Sequence, residues 1–161
     1  MGQLVIGISD LKIALPPDTL ITYALGSCVG ICLLDPVTHV GGLSHIMLPT
    51  SNIAPSDKNV CKFADTAIPE LIFQMEKCGA SRVRITAKIA GGAQMFGAQN
   101  PTTTTWQIGQ RNVIATIEAL RQMHIPIIAQ DVYENYGRTV SFDPYTGAMQ
   151  VTSINKGNKV L

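Results

Sequence analysis

The most informative stretch of the chain is CVGICLLDPVTHVGGLSHIM, residues 28–47. Two apolar runs, 28–34 and 40–47, are separated by a short polar turn, a pattern typical of a β-hairpin whose strands are both largely buried. Because Cys28 and His45 lie far from the turn on neighbouring strands, the hairpin brings them toward the same end. The sequence therefore predicts that a thiol and an imidazole are neighbours.

The segments around this hairpin carry further strand and helix signals. Strands are predicted for the β-branched and aliphatic runs at 3–8, 12–15, 20–24, 82–89, 127–132, 139–142 and 149–154. Two amphipathic helices are predicted, one from Phe63 to a stop at Gly79 and one from Gln110 to Met123. Their expected buried faces are Ala67, Ile68, Leu71, Ile72, Met75 and Cys78 in the first helix and Val113, Ile114, Ile117, Leu120 and Met123 in the second. Pro69 is expected either to start the first helix or to bend it.

The order of these elements predicts an α+β fold. Strands outnumber helices, several strands follow one another directly, and a single strand separates the two helices, unlike a regularly alternating α/β fold. We expect a layered sandwich of mixed β-sheets with two main amphipathic helices. The length of 161 residues matches one domain of typical size, so residues 1–161 are expected to form a single domain.

Composition narrows the class of protein. Lys and Arg total 12 against 11 for Asp and Glu, without a basic run, so nucleic acid is not an expected partner. We find no secretory signal, lipid-anchor motif or bilayer-length apolar run, and therefore expect a cytoplasmic protein without membrane insertion. In that compartment the four cysteines are expected to be reduced thiols. They form no C-x-x-C pair, so Cys32, Cys61 and Cys78 are expected to be structural and no metal site is predicted.

Cys28 is the first candidate for chemistry. It follows the Gly26-Ser27 break, where backbone amides are able to point at a thiol, lower its pKa and stabilise an oxyanion. His45, a lone polar residue among apolar neighbours, is able to take the thiol proton and so generate a nucleophile. Thr22, on the strand leading to Cys28, offers a hydroxyl that would accept from one ring nitrogen of His45. From the residues alone, a buried structural cysteine, a satisfied core histidine and a packed strand threonine stay open as alternatives.

Other polar and glycine positions receive ordinary interpretations. His39 is expected to be a solvated turn residue, and His124 to cap the C-terminal end of the second helix. Gly91-Gly92-Ala93 is interpreted as a strand-ending turn in preference to a tight backbone approach beside the site.

Five separated motifs occur in order over nearly the whole chain: LGSCV at 25–29, SHIMLP at 44–49, KFADTA at 62–67, AKIAGGAQMF at 87–96 and IGQRNV at 108–113. Together they resemble the CheD family of chemoreceptor glutamine deamidases. The resemblance implies a CheD-like cysteine hydrolase fold and an enzyme that converts selected glutamine side chains of methyl-accepting chemotaxis proteins to glutamate, with some members also hydrolysing methyl esters. It implies that Cys28 is the nucleophile, His45 the base and Thr22 the third member of the triad. Ser27, beside the nucleophile, is expected to position the substrate amide.

The mechanism that the resemblance implies proceeds through a thioester. The Cys28 thiolate attacks the glutamine carbonyl, His45 gives a proton to the departing ammonia, and water then hydrolyses the thioester, so no metal or organic cofactor is required. The implied partners are receptor helices and a CheC-type chemotaxis phosphatase, and the free protein is expected to be a monomer. Because a glutamine on a helix needs an open groove, the loop at 50–59 is the expected rim of the site.

Two other classes of function stay open. A non-catalytic regulatory partner of a CheC-type phosphatase would be free to lose the triad. A redox or metal-binding thiol protein would depend for its folding on oxidants or chelators. The retained Cys28, His45 and Thr22 favour catalysis over both.

One loop departs from the pattern of the CheD family. Tyr133-Glu134 stands where family members commonly have a Gly-Gly pair before the Gly-Arg step, here Gly137-Arg138. Two side chains therefore enter a loop that would otherwise be bare backbone.

Overall fold

The architecture comes from a computed structural model, which describes residues 2–95 and 107–161. Over these residues it contains two mixed five-stranded β-sheets and two α-helices, which confirms the predicted α+β sandwich. Phe96, the last residue of one family motif, lies outside the described residues. Neither helix of the described segments is long and apolar enough to cross a membrane.

Ten strands form the two sheets of the described chain. In chain order they are β1 Gln3–Ile6, β2 Asp10–Ala14, β3 Thr19–Leu25, β4 Val29–Leu34, β5 Gly41–Ile46, β6 Thr86–Gly91, β7 Ile127–Val132, β8 Arg138–Phe142, β9 Met149–Ser153 and β10 Gly157–Val160. The first sheet has the order β1-β3-β8-β9-β10, and the second sheet has the order β2-β5-β4-β6-β7. The β1–β3 and β6–β7 pairs are parallel, and every other pair is antiparallel.

The predicted hairpin is the centre of the second sheet. Strand β4 pairs with β5 on one side and with β6 on the other, and all six residues of β5 are buried. Both strands are largely apolar because each face of the second sheet is covered. One face packs on the first sheet around a cluster that includes Cys32 and Leu43, and the other packs on the helices around a cluster that includes Ile31 and Ile46.

The two helices are α1, Ala64–Lys77, and α2, Ile108–Gln122. In α1 five of the six expected apolar residues are buried, but Cys78 follows the last helical residue and is exposed. Pro69 lies inside α1, so the expectation that the helix starts at Pro69 was wrong. In α2 the side chain of Ile114 is 54% exposed, and the expected buried face was wrong at that position.

Several boundaries and one strand also differ from the sequence-based prediction. Residues 82–89 begin with a 3-10 turn, Arg82–Arg84, and only then enter β6. The turn forms because the buried carboxylate of Asp35 accepts from the Ser81 amide at 2.8 Å and from Arg84 Nη2 at 2.7 Å. Strand β10 was missed because all of its residues are exposed, which leaves no alternation of polar and apolar positions to detect.

Candidate active site

The register of the hairpin places Cys28 and His45 on one face of the second sheet. His45 pairs with Gly30, and Ile46 pairs with Val29, the residue after Cys28. Because cross-strand partners share a face and side chains alternate along a strand, Cys28 and His45 are diagonal neighbours. Cys28 packs against the apolar cluster between the two sheets. The register of the hairpin thus confirms the predicted proximity of the thiol and the imidazole.

Thr22 reaches the imidazole from the opposite sheet. Its Oγ1 lies 2.7 Å from His45 Nδ1, and both residues are completely buried. The same hydroxyl donates its only proton to the carbonyl of Ile6 at 2.7 Å. Since that proton is already used, the hydroxyl must accept from His45, and Nδ1 carries the hydrogen. The prediction that Thr22 accepts from one ring nitrogen therefore agrees with the geometry.

This tautomer leaves Nε2 as the basic nitrogen of His45. Nε2 is buried and has no hydrogen-bond partner among the residues that the structure describes. Burial lowers the pKa of His45 from 6.5 to about 4, because the imidazolium form loses its hydration. At neutral pH the ring is therefore an uncharged base with a vacant lone pair.

The thiol of Cys28 is also uncharged at rest. Burial raises its pKa above the usual value, and the backbone amide of Cys28 itself partly opposes that effect. A thiol with a raised pKa beside an imidazole with a lowered pKa forms a neutral pair rather than an ion pair. The proton has to move to His45 when the sulfur attacks a substrate.

The backbone of residues 91–93 packs closely against the loop that carries the Cys28 thiol. The amides of Gly92 and Ala93 donate to the carbonyls of Cys28 and Gly26 at 2.8 and 2.9 Å. Gly91 has a φ of +114°, and a Cβ built on it would lie 2.3 Å from the Cys28 carbonyl oxygen. The interpretation of Gly91-Gly92-Ala93 as a simple strand-ending turn was therefore wrong, since only glycine fits at Gly91.

Ser27 is half-buried beside Cys28, and within the described part of the chain its hydroxyl makes no hydrogen bond. The expected rim, 50–59, is partly exposed and contains a 3-10 turn, Ser51–Ile53. That turn is tied to α1, because the Ser51 amide and hydroxyl each donate to Asp65 at 3.0 Å. The roles of Ser27 and of this loop in binding substrate stay predictions.

In the described part of the chain, none of the remaining cysteines and histidines shares a side-chain hydrogen bond with Thr22 or His45. Cys32 is buried, Cys61 is half-buried and Cys78 is exposed, and the described residues contain no cluster of His, Cys, Asp or Glu suited to a metal ion. His39 is more than a solvated turn residue, since its ring stacks on Tyr145 with a centroid distance of 5.8 Å. His124 lies just past the end of α2, as expected.

The sequence-based reasoning missed Asn112. This residue is completely buried, and its Nδ2 donates to the carbonyls of Ser27 and Met47 at 2.9 and 3.0 Å. A polar residue next to the apolar Val113 on a helix carried no signal of burial. Its membership of the IGQRNV motif was the one available clue.

Tyr133 and Glu134, at the position of the unusual loop, adopt φ values of 70° and 64°. This left-handed region favours glycine and costs a side-chain-bearing residue on the order of 1 kcal/mol or more. The loop is held in place nevertheless, because Tyr133 N donates to Gly91 O and Gln94 N donates to Glu134 O, each at 2.9 Å. Tyr133 and Glu134 thus adopt a backbone conformation that a Gly-Gly pair would adopt without strain.

Comparison with known proteins identifies relatives along nearly the whole chain. The family model for CheD, described as CheD chemotactic sensory transduction, matches residues 47–153. The chain is 45% identical over 160 residues to the probable chemoreceptor glutamine deamidase CheD of Lachnoclostridium phytofermentans, covering 99% of each protein. It is 47% identical over 156 residues to the protein of the same name from Syntrophomonas wolfei, covering 97% of this chain and 96% of the relative. The corresponding protein of Caldanaerobacter subterraneus is 48% identical over the same length, with the same coverage.

Proposed function

The chain belongs to the CheD family, and we propose that it is a chemoreceptor glutamine deamidase in which Cys28 is the nucleophile, His45 the general base and Thr22 the residue that orients His45. The observation that carries this assignment is the hydrogen bond from His45 Nδ1 to Thr22 Oγ1 at 2.7 Å. It directs the basic Nε2 away from Thr22, on the sheet face that also carries Cys28. Nucleophile, base and orienting group are the three parts that acyl transfer to a thiol requires.

The first half of the reaction forms a thioester. Nε2 of His45 takes the proton of the Cys28 thiol as the sulfur attacks the carboxamide carbon of a receptor glutamine. The carbonyl oxygen becomes an oxyanion, which the amide of Cys28 is placed to stabilise. The imidazolium then gives its proton to the leaving nitrogen, the C–N bond breaks and ammonia departs.

The second half releases glutamate. Neutral His45 takes a proton from water, and the resulting hydroxide attacks the thioester carbon. The C–S bond breaks, the sulfur leaves, and the imidazolium returns the proton to Cys28. Thr22 accepts from Nδ1 throughout, so the ring keeps one orientation while its charge changes. A receptor methyl ester would follow the same route with methanol as the leaving group, and we propose it as a second substrate.

The remaining parts of the assignment are proposals drawn from the family. We place the enzyme in the cytoplasm as a single-domain monomer over residues 1–161, with receptor helices as its substrate and a CheC-type phosphatase as a second partner. Ser27 positions the substrate amide, and the loop at 50–59 forms the rim of the groove. A regulatory role without catalysis is the less favoured alternative, because it gives no reason for a buried His45 to keep an Nε2 that has no partner among the described residues.

Peptide mass spectrometry tests the proposal. A receptor cytoplasmic fragment is incubated with the wild-type protein, with Cys28→Ala and with Cys61→Ala, in which another half-buried cysteine is removed. The wild type and Cys61→Ala should convert specific glutamines to glutamate, and Cys28→Ala should convert none. Equal conversion by Cys28→Ala, or none by a folded wild type, would contradict the proposal and favour the regulatory role.

A further inference from the structure

The loop of the nucleophile is held by three consecutive carbonyl groups. The Gly26 carbonyl accepts from Ala93 N at 2.9 Å and the Cys28 carbonyl from Gly92 N at 2.8 Å. Between them, the Ser27 carbonyl accepts from Nδ2 of Asn112 at 2.9 Å. Two of these anchors are backbone amides, and among the described residues Asn112 is the one side chain that donates to a carbonyl of this loop.

Asn112 joins the two halves of the site. Its second donated hydrogen bond, at 3.0 Å, goes to the carbonyl of Met47, which follows the strand of His45. Because both neighbours are carbonyl oxygens, the amide nitrogen of Asn112 must lie between them. A single carboxamide therefore connects the residue before Cys28 with the strand end after His45.

The helix that carries Asn112 is pressed against the same loop. A Cβ at Gly109, one turn earlier in α2, would lie 2.3 Å from the carbonyl oxygen of Ala93 and 2.6 Å from that of Gly92. These are the residues whose amides hold the other two carbonyls of the loop. The helix thus fixes Asn112 and the Gly92–Ala93 backbone relative to each other.

Stability is a poor explanation for a buried asparagine here. The Oδ1 atom of Asn112 is buried without a hydrogen-bond partner among the described residues. Burying an unpaired polar atom costs on the order of 1–3 kcal/mol, which offsets much of what the two donated hydrogen bonds contribute. The two hydrogen bonds that Asn112 donates are better explained by their effect on the conformation of the loop at 26–28.

Holding the Ser27 carbonyl fixes the direction of the next amide. The peptide bond is planar and trans, so the Ser27 carbonyl and the Cys28 N–H point in opposite directions. The carbonyl points to Asn112, and the Cys28 N–H accordingly points to the opposite side of the peptide plane. Neither this amide nor that of Ser27 donates to another residue within the described ranges. An amide of the attacking residue that has no other acceptor in the described part of the chain is available to the oxyanion of an attacked carbonyl.

We propose that Asn112 is a positioning residue that presets the oxyanion-binding amide of Cys28 by holding the Ser27 carbonyl. The inference rests on the proposed function, because an oxyanion forms only if Cys28 attacks a carbonyl. Asn112 touches neither the substrate nor the reacting atoms in this account. It acts through the peptide plane between Ser27 and Cys28.

Kinetics of Asn112→Ala and Asn112→Ser, each checked for folding by circular dichroism and thermal unfolding, test the proposal. The control is Thr116→Val, which alters another buried, unpartnered polar residue of the same helix. For a receptor fragment we expect kcat to fall about 10- to 100-fold in both Asn112 variants, with KM within about twofold, since loss of an oxyanion donor itself costs roughly 100- to 1,000-fold. Alkylation of Cys28 by iodoacetamide should fall clearly less than kcat, because that reaction forms no oxyanion and loses only the smaller effect of the Cys28 amide on the thiol pKa.

Each other outcome contradicts a stated part of the account. If kcat of the folded Asn112 variants stays within about twofold of wild type, or if Thr116→Val loses as much, the positioning role is wrong. If kcat and alkylation fall together, Asn112 positions the thiol and imidazole rather than the amide. If neither Asn112 variant folds while Thr116→Val does, the residue serves stability. An inactive wild type, or an active Cys28→Ala, would overturn the proposed function and this inference with it.

Discussion

The imidazole of His45 donates from Nδ1 to the hydroxyl of Thr22 across 2.7 Å, and this bond connects the two β-sheets. Thr22 lies on β3 of the first sheet and His45 on β5 of the second. The Thr22 proton is committed to Ile6 on β1 of the first sheet. The orientation of the His45 ring is therefore set by the packing of the first sheet on the second. The hairpin of β4 and β5, which brings His45 near Cys28, does not set it.

Replacing Thr22 tests this relationship. Thr22→Val has nearly the same shape but leaves the buried Nδ1–H of His45 without an acceptor, a cost of about 1–3 kcal/mol. We expect kcat/KM to fall about 10- to 100-fold, because the ring then turns or changes tautomer to regain a partner. Thr22→Ser keeps the hydroxyl and should stay within about fivefold of wild type. Equal activity of the two variants in the mass spectrometric assay would show that the hydroxyl does not orient His45.

The pH dependence of activity tests whether Cys28 and His45 are both uncharged before the reaction. Burial lowers the pKa of His45 to about 4, and protonation of Nε2 removes the lone pair that accepts the thiol proton. Activity should therefore be lost as the pH falls through about 4, and not near the ordinary histidine value of 6.5. The measurement is kcat/KM against pH, with circular dichroism to confirm folding and the exposed His124→Gln as control. An acid limb near pH 6.5 in the folded wild type would contradict the account.

The turn of the central hairpin depends on Asp35. Its carboxylate is completely buried, and the guanidinium of Arg84 at 2.7 Å together with three backbone amides holds its pKa well below the usual range. Asp35→Ala leaves Arg84 and those amides without their acceptor and should cost about 3–5 kcal/mol of unfolding free energy. Asp57→Ala breaks the more exposed pair with Lys62 and should cost much less. Urea unfolding of both variants measures this difference, and similar losses would refute it.

Gly91 has a left-handed backbone conformation and lies close to the loop that carries Cys28. Gly91→Ala would place a methyl group 2.3 Å from the Cys28 carbonyl oxygen. Gly79→Ala is the matched control, because Gly79 has a φ of +106° with no atom within 4 Å of the added Cβ. We expect about 1–2 kcal/mol of destabilisation for Gly79→Ala. Gly91→Ala should lose at least about 3 kcal/mol, since overpacking adds to the same strain. Thermal unfolding and the deamidation assay compare them, and equal effects would mean that the approach to Cys28 is unimportant.

Much of this site could be predicted because its residues lie on strands with a strong apolar pattern. The two apolar runs of the hairpin define the register within which Cys28 and His45 become neighbours, and a period of two then places them on one face. For these two residues local spacing determines spatial proximity. Thr22 lies on β3 of the other sheet, so spacing alone left a packed strand threonine as an alternative, and the resemblance to the CheD family indicated its role.

The parts that sequence reasoning missed arise from contacts between distant elements. The buried face of α2 contains Gly109, Asn112 and Thr116, none of which adds to an apolar stripe, whereas Ile114 points to solvent. Helix α2 packs closely on the backbone around Cys28. Small and hydrogen-bonding residues therefore fit on this face better than large apolar ones. The tight packing at Gly91 was missed for the same reason, since a glycine pair at a strand end also fits an ordinary turn.

The most direct test of the central claim is a titration of Cys28 itself. The wild-type protein is alkylated with iodoacetamide for increasing times, peptide mapping gives the modified fraction of each cysteine, and the deamidation rate of the same samples is measured on a receptor fragment. The account predicts that activity falls in proportion to the alkylated fraction of Cys28 and reaches zero when that fraction is complete, whatever the state of the exposed Cys78. Deamidation that persists after Cys28 is fully alkylated, or that follows another cysteine, would contradict the assignment of Cys28 as the nucleophile.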